Sequence, residues 1–283
     1  MITLGGPTKR VRWRVLNDWG VRVGAIMLLI VVGIAFFGSL LSSQSPYETA
    51  GIPGASPGGG HLLGLDFEGR DVLARLLHGG SSTIILATTA TIVLYVVAIS
   101  VGLLAGYSKS VIDPLLMRGV DVLLSVPSLL VMLLFITGLG SSKPVLVLAA
   151  VIVLFPGAAR IVRSATLEVS TRGFVEAAVA RGENTVAILR REVLPNIIPP
   201  IVADLGLRFS WSIILIASVN FLGLGIKPPS PDWGVMISEN LVTLSSNPWA
   251  VIAPALMIGL LIIAVNLMGD GVVRQLGTSG AGR

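Results

Sequence analysis

The sequence predicts an all-α membrane protein with six transmembrane helices. Of the 283 residues, 53% are hydrophobic and only 12% are charged, against about 25% charged residues in soluble domains. The mean hydropathy is +0.88, so in water the chain would expose far too much apolar surface. Six apolar stretches also approach the roughly 20 residues that a helix needs to cross a bilayer core.

Each predicted span corresponds to one of these stretches. The spans cover approximately residues 23–42, part of 81–107, 116–139, 144–163, 201–224 and 249–268. The first follows several basic residues, as in a signal peptide. Its apolar run is longer than a typical signal core and lacks a clear A-x-A cleavage site, so we interpret it as a retained span. Prolines at positions 127, 156 and 254 predict kinks in the third, fourth and sixth spans.

The distribution of basic residues predicts the orientation. Six spans place both termini on one side, which then carries fifteen Lys and Arg residues against four on the other. The positive-inside rule assigns the richer side to the cytoplasm. The predicted organisation is a cytoplasmic tail over 1–22, a transmembrane domain over 23–275 and a cytoplasmic tail over 276–283. Within that domain, 43–80 and 225–248 are external loops and 164–200 is a cytoplasmic loop.

Several classes of site are disfavoured by composition. The chain has no cysteine and only two histidines, His61 and His78, so we expect no metal site. The net charge of +5 is explained by the positive-inside bias, so we expect no nucleic-acid partner. No HExxH, GxSxG or GxxxxGK[ST] motif is present, so we expect no catalytic site and an energy source in another subunit.

Residues 176–200, EAAVARGENTVAILRREVLPNIIPP, form a polar segment between apolar runs. Small Ala177 and Ala178 would let a short helix approach another surface closely, and Gly182 would permit a tight turn. We expect Leu194 and Pro195 to end a second helix and to direct the chain into the membrane. From these residues alone, an ordinary basic loop is about as good an explanation as a docking segment.

The spacing of this polar segment resembles the EAA loop of ABC importer permeases. Both have Glu-Ala-Ala, three residues, Gly and later Leu-Pro, although Glu192 stands where the family usually has an apolar residue. Three further stretches resemble the dipeptide and oligopeptide branch (DppC/OppC-like): residues 64–80, 221–239 and 248–271. In the first of these, Leu65 and Ala74 replace the usual Thr and Ser. The resemblance extends from about residue 20 to 275.

The resemblance implies a type I ABC importer permease fold in the bacterial inner membrane. It implies that a helix over about 171–187 couples this chain to an ATPase, with Glu176, Ala177, Ala178, Gly182, Leu194 and Pro195 as the coupling residues. It also implies a second, DppB/OppB-like permease, one or two ABC ATPase subunits and an external substrate-binding protein. ATP and Mg²⁺ would be bound by the ATPase, leaving no cofactor in this chain. The cargo would be a dipeptide or oligopeptide, with nickel or glutathione as alternatives.

A compact polar cluster is predicted on the external side: Gly64, Asp66, Gly69, Arg70 and Asp71. Asp71 has the position of an N-cap for a short amphipathic helix that would lie at the outer interface and end at Gly79-Gly80. The glycines would serve turns. Alternatively, the cluster shapes an outer vestibule or a docking surface for the binding protein, and both interpretations can hold together. Trp233 is expected at interfacial depth.

Ionisable residues within spans are candidates for function. Asp204 and Arg208 are four residues apart, so we expect an intrahelical pair rather than a pore-lining site, and we expect the same for Arg118 and Asp121. Asn220 and Asn266 could hydrogen-bond between helices, and Asp270 is expected in solvent. Because the span centres lack free acids, an ion-coupled secondary transporter is disfavoured.

Overall fold

The computed structural model describes residues 18–108 and 110–280, and these are almost entirely helical. Of the predicted tails over 1–22 and 276–283, residues 1–17 and 281–283 lie outside the described residues. Shorter helical turns cover Gly38–Leu40, Leu189–Val193 (a π-helix) and Asn240–Thr243. The longer elements are α1 (Trp19–Phe37), α2 (Val72–Tyr107), α3 (Ile112–Ser125), α4 (Ser128–Leu139), α5 (Lys143–Ser170), α6 (Gly173–Ala180), α7 (Thr185–Ile188), α8 (Leu194–Phe221), α9 (Trp233–Glu239) and α10 (Trp249–Gly280).

Five helical runs within the described residues are long and apolar enough to cross a membrane. They are Trp19–Leu40, Val72–Tyr107, Lys143–Ser170, Thr185–Phe221 and Trp249–Val272. The all-α membrane fold is therefore confirmed. The bent pair of α3 and α4 makes a sixth span only if both helices together cross the bilayer.

The third predicted span is not one helix. Helices α3 and α4 meet at an angle of 88°, where Val126 and Pro127 are both extended, with ψ angles of 132° and 128°. The proline ring disfavours helical geometry in the residue before it. The bend at Pro127 was expected, but it separates two helices instead of kinking one span.

Small residues allow α2 and α5 to pack closely at the centre of the molecule. Gly102 lies against Val162, and Gly106 lies against Thr166. Alanines on both helices are fully buried, among them Ala98. Close backbone approach at small residues is the usual way for helices to pack within a membrane. Helix α8 packs against α2, α5 and α10, so it is also central.

Helix α2 corrects the prediction of a separate amphipathic helix ending at Gly79-Gly80. The helix starts at Val72 and runs unbroken through both glycines to Tyr107. Gly80 packs against the indole of Trp233 and the methyl group of Ala35. These glycines therefore serve close packing, which outweighs their low helix propensity. Trp233 is fully buried in the protein, so it is not the interfacial residue that was expected.

The basic residues Arg160 and Arg163 of α5 pair with acids of α3. Arg163 forms a bidentate pair with Asp113, at 2.5 and 2.6 Å. Arg160 donates to Asp121 at 2.5 Å. The predicted pairing of Arg118 with Asp121 is therefore wrong, because the partner of Asp121 comes from another helix. These pairs fix α3 across α5.

Candidate functional site

The polar segment begins with helix α6, which ends in a Schellman motif around Gly182. Gly182 has a φ angle of +76°. Its N–H donates to the carbonyl of Val179 at 2.9 Å, and the N–H of Glu183 donates to that of Ala178 at 3.2 Å. This pair of bonds satisfies carbonyls at the helix end and requires the left-handed conformation that glycine adopts without strain. The predicted turn at Gly182 is therefore confirmed.

A second helical run starts two residues later and continues into the membrane. The side chain of Asn184 caps α7 by accepting from the N–H of Ala187 at 2.8 Å. The π-helix over Leu189–Val193 then joins α7 to α8, with the N–H of Leu194 donating to the carbonyl of Leu189. Pro195 occupies the first turn of α8, where it removes a backbone N–H from the continuous helical run. The prediction that Leu194 and Pro195 end a helix is therefore wrong. They lie where the π-helix changes to an α-helix.

Helix α6 presents a mixed polar and apolar surface. Glu176 and Ala177 are exposed, whereas Val175 and Ala178 are buried in the main apolar core. Ala178 therefore anchors α6 to its own chain and is not available for direct contact, in contrast to its predicted docking role. Beside Glu176 lies a pocket of about 590 Å³, which the end of α2 and the start of the polar segment also line.

Large apolar side chains are exposed on this segment as well. Val179 is 55% exposed and Val186 is 74% exposed. Arg181 pairs with Glu183 at 2.6 Å, which braces the turn at Gly182. Neither Arg190 nor Arg191 forms an ion pair with Glu192 or with any other described residue. The segment is thus a braced structure with apolar and basic side chains available to a partner.

The second candidate site is a charged cluster formed by Asp66, Arg70, Arg75 and Glu239. Asp66 is fully buried and lies 2.8 Å from Nε of Arg70 and 2.5 Å from Nη1 of Arg75. Glu239 lies 2.9 Å from Nη2 of Arg75 and 3.5 Å from Nη2 of Arg70. The contacts of Glu239 have ion-pair distances without hydrogen-bond geometry, so we regard them as electrostatic only. The cluster holds two positive and two negative charges.

Burial has a clear effect on Glu239. Desolvation raises the pKa of its carboxyl above the ordinary value, although Arg75 and Arg70 act in the opposite direction. Asp232 lies nearby in sequence and is also buried, and desolvation likewise raises its pKa. Its carboxylate accepts from Thr83 and Asn220, both at 2.8 Å.

The charged cluster joins the loop over 43–71 to the segment around α9. Asn240 accepts from the N–H of Phe67 at 2.9 Å, and Asn247 donates to the carbonyls of Leu63 and Leu65. Gly64 and Gly69 have φ angles of +71° and +76°. Any side chain on either glycine would meet backbone carbonyl oxygens.

The predicted external residues therefore lie together in space. Asp71 caps α2 through the N–H of Ala74, at 2.6 Å, so the N-cap prediction is confirmed. It also contacts Nδ1 of His61 at 2.8 Å. Sequence reasoning missed Arg75 and Glu239. Arg75 is visible as a charge within an apolar helix pattern, but Glu239 is too distant along the chain to connect with it.

Comparison with known proteins decides the family. Residues 98–278, which include the polar segment, match the family described as "Binding-protein-dependent transport system inner membrane component". The chain belongs to this family. As a permease of such a system, it is a multi-pass protein of the inner membrane, and the family implies a partner permease, an ATPase and a binding protein in general.

Relatives of this permease resemble it over most of their length. It is 33% identical to the "Di/tripeptide transport system permease protein DppC" of Pseudomonas aeruginosa, over 94% of this chain and 90% of that one. Identity is 35% to the "Dipeptide transport system permease protein DppC" of Escherichia coli K12, covering 89% and 87%. Identity is 34% to the "Glutathione transport system permease protein GsiD" of Pectobacterium atrosepticum, covering 92% and 87%.

A solved structure shares the fold of the permease. The MetNI methionine ABC transporter in an inward-facing conformation matches with a TM-score of 0.57 and 19% identity, covering 68% of this chain and 92% of the other. The predicted ABC importer permease fold is therefore confirmed.

Within the described residues, no group of three or more His, Cys, Asp or Glu side chains could hold a metal ion. The charged cluster contains two arginines at its centre, which would repel a cation.

Proposed function

We propose that this permease forms half of the translocation pathway of an ATP-driven importer for dipeptides or oligopeptides. Its similarity to two dipeptide-transport permeases over about nine-tenths of the chain carries this proposal. Glutathione is itself a small peptide, so the glutathione permease in the same range of identity fits the same class of cargo. We propose that the chain itself is not catalytic and binds neither ATP nor Mg²⁺.

The polar segment is the proposed contact with the ATPase. Exposed Glu176 and Ala177 on α6 would face the partner, while buried Ala178 would hold α6 on the core. Gly182 would set the angle between α6 and α7, and Leu194 and Pro195 would connect the segment to α8. Such a braced segment can transmit force because its hydrogen bonds oppose internal bending.

On the other side, the loop around Gly64, Asp66, Gly69, Arg70 and Asp71 is the proposed base of the external vestibule. The charged cluster rigidifies this loop against α9. A substrate-binding protein would dock on the exposed part of the loop.

Transport in proteoliposomes tests the proposed function. The full complex, with its ATPase subunits, second permease and binding protein, should import a radiolabelled dipeptide only when ATP is available to the ATPase. Glu176→Lys should reduce both peptide import and peptide-stimulated ATP hydrolysis by about tenfold, because it reverses a charge on the docking surface. Asp270→Lys, an equal charge change on an exposed residue outside both proposed docking surfaces, is the matched control. Unchanged import with Glu176→Lys, or ATP-dependent import of nickel but no peptide, would contradict the proposal.

Cysteine labelling tests the proposed orientation, and the chain offers a cysteine-free background. An impermeant thiol reagent should label Thr185→Cys only from the cytoplasmic side and Glu48→Cys only from outside. Both positions are exposed. The reverse pattern would invert the topology.

A further inference from the structure

Arg208 places a charged side chain in the middle of a membrane-spanning helix. It lies halfway along the 28-residue helix α8, and its guanidinium contacts Gly157, which lies halfway along the 28-residue helix α5. Charged residues at such depth are costly, and they face the interior of a helix bundle or a water-filled cavity. The position of Arg208 therefore needs more explanation than a surface arginine would.

The guanidinium of Arg208 is held in place through its Nε atom. Nε of Arg208 donates to Oδ2 of Asp204 at 2.9 Å, and the hydroxyl of Tyr95 on α2 donates to the same oxygen at 2.9 Å. The intrahelical pair with Asp204 was expected, but its bond to Tyr95 was not. These contacts use one of the five N–H donors of Arg208. No described residue accepts a hydrogen bond from Nη1 or Nη2.

The terminal nitrogens have a defined place on α5. Both lie within 2.8 Å of the point that a Cβ atom on Gly157 would occupy. Any side chain at position 157 would displace the guanidinium. Gly157 thus provides the space in which Nη1 and Nη2 lie.

The surroundings of these nitrogens are partly open. The side chain of Arg208 is 16% exposed. One turn along α8, Trp211 is 45% exposed, and the neighbouring Leu207 is 49% exposed. One turn along α5 from Gly157, Arg160 is also exposed and pairs with Asp121. Exposed apolar, aromatic and basic side chains therefore lie within one turn of Arg208 on α8 and of Gly157 on α5.

We propose that Arg208 binds the carboxylate of a peptide as the peptide crosses the membrane. This inference rests on the proposed function. A planar guanidinium with two terminal NH₂ groups matches the two oxygens of a carboxylate. Asp204 fixes the orientation of the guanidinium by accepting from Nε, and Tyr95 holds Asp204 in place. Because Asp204 already balances the positive charge, the carboxylate is held weakly enough to leave again, as transport requires.

Transport of matched peptides in the reconstituted complex tests this role. The two peptides are Ala-Ala and its C-terminal amide, each supplied on binding protein whose loading has been measured separately. Wild-type complex should transport the free acid about tenfold faster than the amide at equal loading. Arg208→Gln should bring this ratio close to one, and Arg208→Lys, which keeps the charge but lacks the paired NH₂ groups, should give an intermediate ratio.

Two further variants keep the test independent of folding. Asp204→Asn with Arg208→Gln removes both charges together, so no buried carboxylate is left without its partner, and the ratio should again be close to one. Arg274→Gln removes an exposed arginine beyond the last span and should leave the ratio unchanged. If Arg208→Gln slows both peptides equally, or neither, the carboxylate site is wrong although peptide import remains. If wild-type complex imports no peptide, the proposed function itself fails.

Discussion

The indole of Trp233 occupies the space beside Gly80 that a larger residue would need. Its Nε1 donates to the carbonyl of Leu76 at 3.0 Å, so one side chain contacts α2 through both its ring face and its polar edge. The neighbouring Asp232 accepts from Thr83, one turn further along α2. Helix α9 is thereby fixed to the N-terminal part of α2, from Leu76 to Thr83.

We expect Gly80→Leu to destabilise the permease by about 1–3 kcal/mol, because the added side chain must displace Trp233 from a filled site. The thermal unfolding midpoint in detergent should fall. Gly33→Leu is the matched control, since a Cβ atom on Gly33 would have no neighbour within 4 Å. Because leucine has a higher helix propensity than glycine, an equal loss in both variants would mean that the contact with Trp233 is not responsible.

Asp66→Ala should have one of the largest effects on stability outside the membrane spans. It removes the buried carboxylate that contacts both buried arginines, Arg70 and Arg75. Breaking a buried ion pair from one side costs about 3–5 kcal/mol. In the same assay, Glu68→Ala should cost less than about 1 kcal/mol, because the side chain of Glu68 is half exposed. Similar midpoints for the two variants would contradict the role of the charged cluster.

The raised pKa of Glu239 predicts a dependence of stability on pH. Between the ordinary glutamate pKa and the raised value, the folded protein binds more protons at this site than the unfolded protein does. Stability should therefore increase as pH falls through that window. Asp232 contributes with the same sign, since its pKa is also raised.

Glu239→Gln should weaken this pH dependence, because an amide at position 239 no longer titrates. Unfolding midpoints at pH 5 and pH 7 provide the measurement. Glu48→Gln makes the same chemical change on an exposed side chain and serves as the control. If Glu239→Gln and wild type respond equally to pH, Glu239 does not contribute.

Gly182→Ala should impair coupling without blocking membrane insertion. A side chain at a φ angle of +76° costs about 1–2 kcal/mol, and relaxation would break the two hydrogen bonds of the Schellman motif. We expect weaker ATPase association in a pull-down and lower import per ATP hydrolysed. Gly182→Asn should be milder, because asparagine tolerates this conformation better. Gly173→Ala, with open space around it and no positive φ, should behave as wild type.

Local signals in the sequence predicted those features that depend on local geometry. Asp71 caps α2, Gly182 ends α6, and Asp204 pairs with Arg208, because in each case the partners are close along the chain. The apolar spans were predicted for a similar reason, since their length and composition reflect the bilayer itself.

Errors arose where a distant residue overrode the local signal. Gly79 and Gly80 resemble a helix end, but Asp232 and Trp233 pack against them. Asp121 has a basic residue three positions away, yet it pairs with Arg160 on another helix. The charged cluster needed Glu239, which is more than 160 residues away from Arg75 along the chain. One sequence gives no information about such contacts.

Helices α7 and α8 and the π-helix between them form one continuous rod from Thr185 to Phe221. A helix of 37 residues extends for about 55 Å. Residues 185–200 of this rod belong to the polar segment, its interior carries Arg208, and Asn220 near its far end bonds to Asp232. A displacement applied near Asn184 would therefore be transmitted along the rod to all three regions. The prolines at 195, 199 and 200 remove backbone hydrogen-bond donors from the N-terminal half of this rod. Any bending of the rod is therefore concentrated there, on the N-terminal side of Arg208.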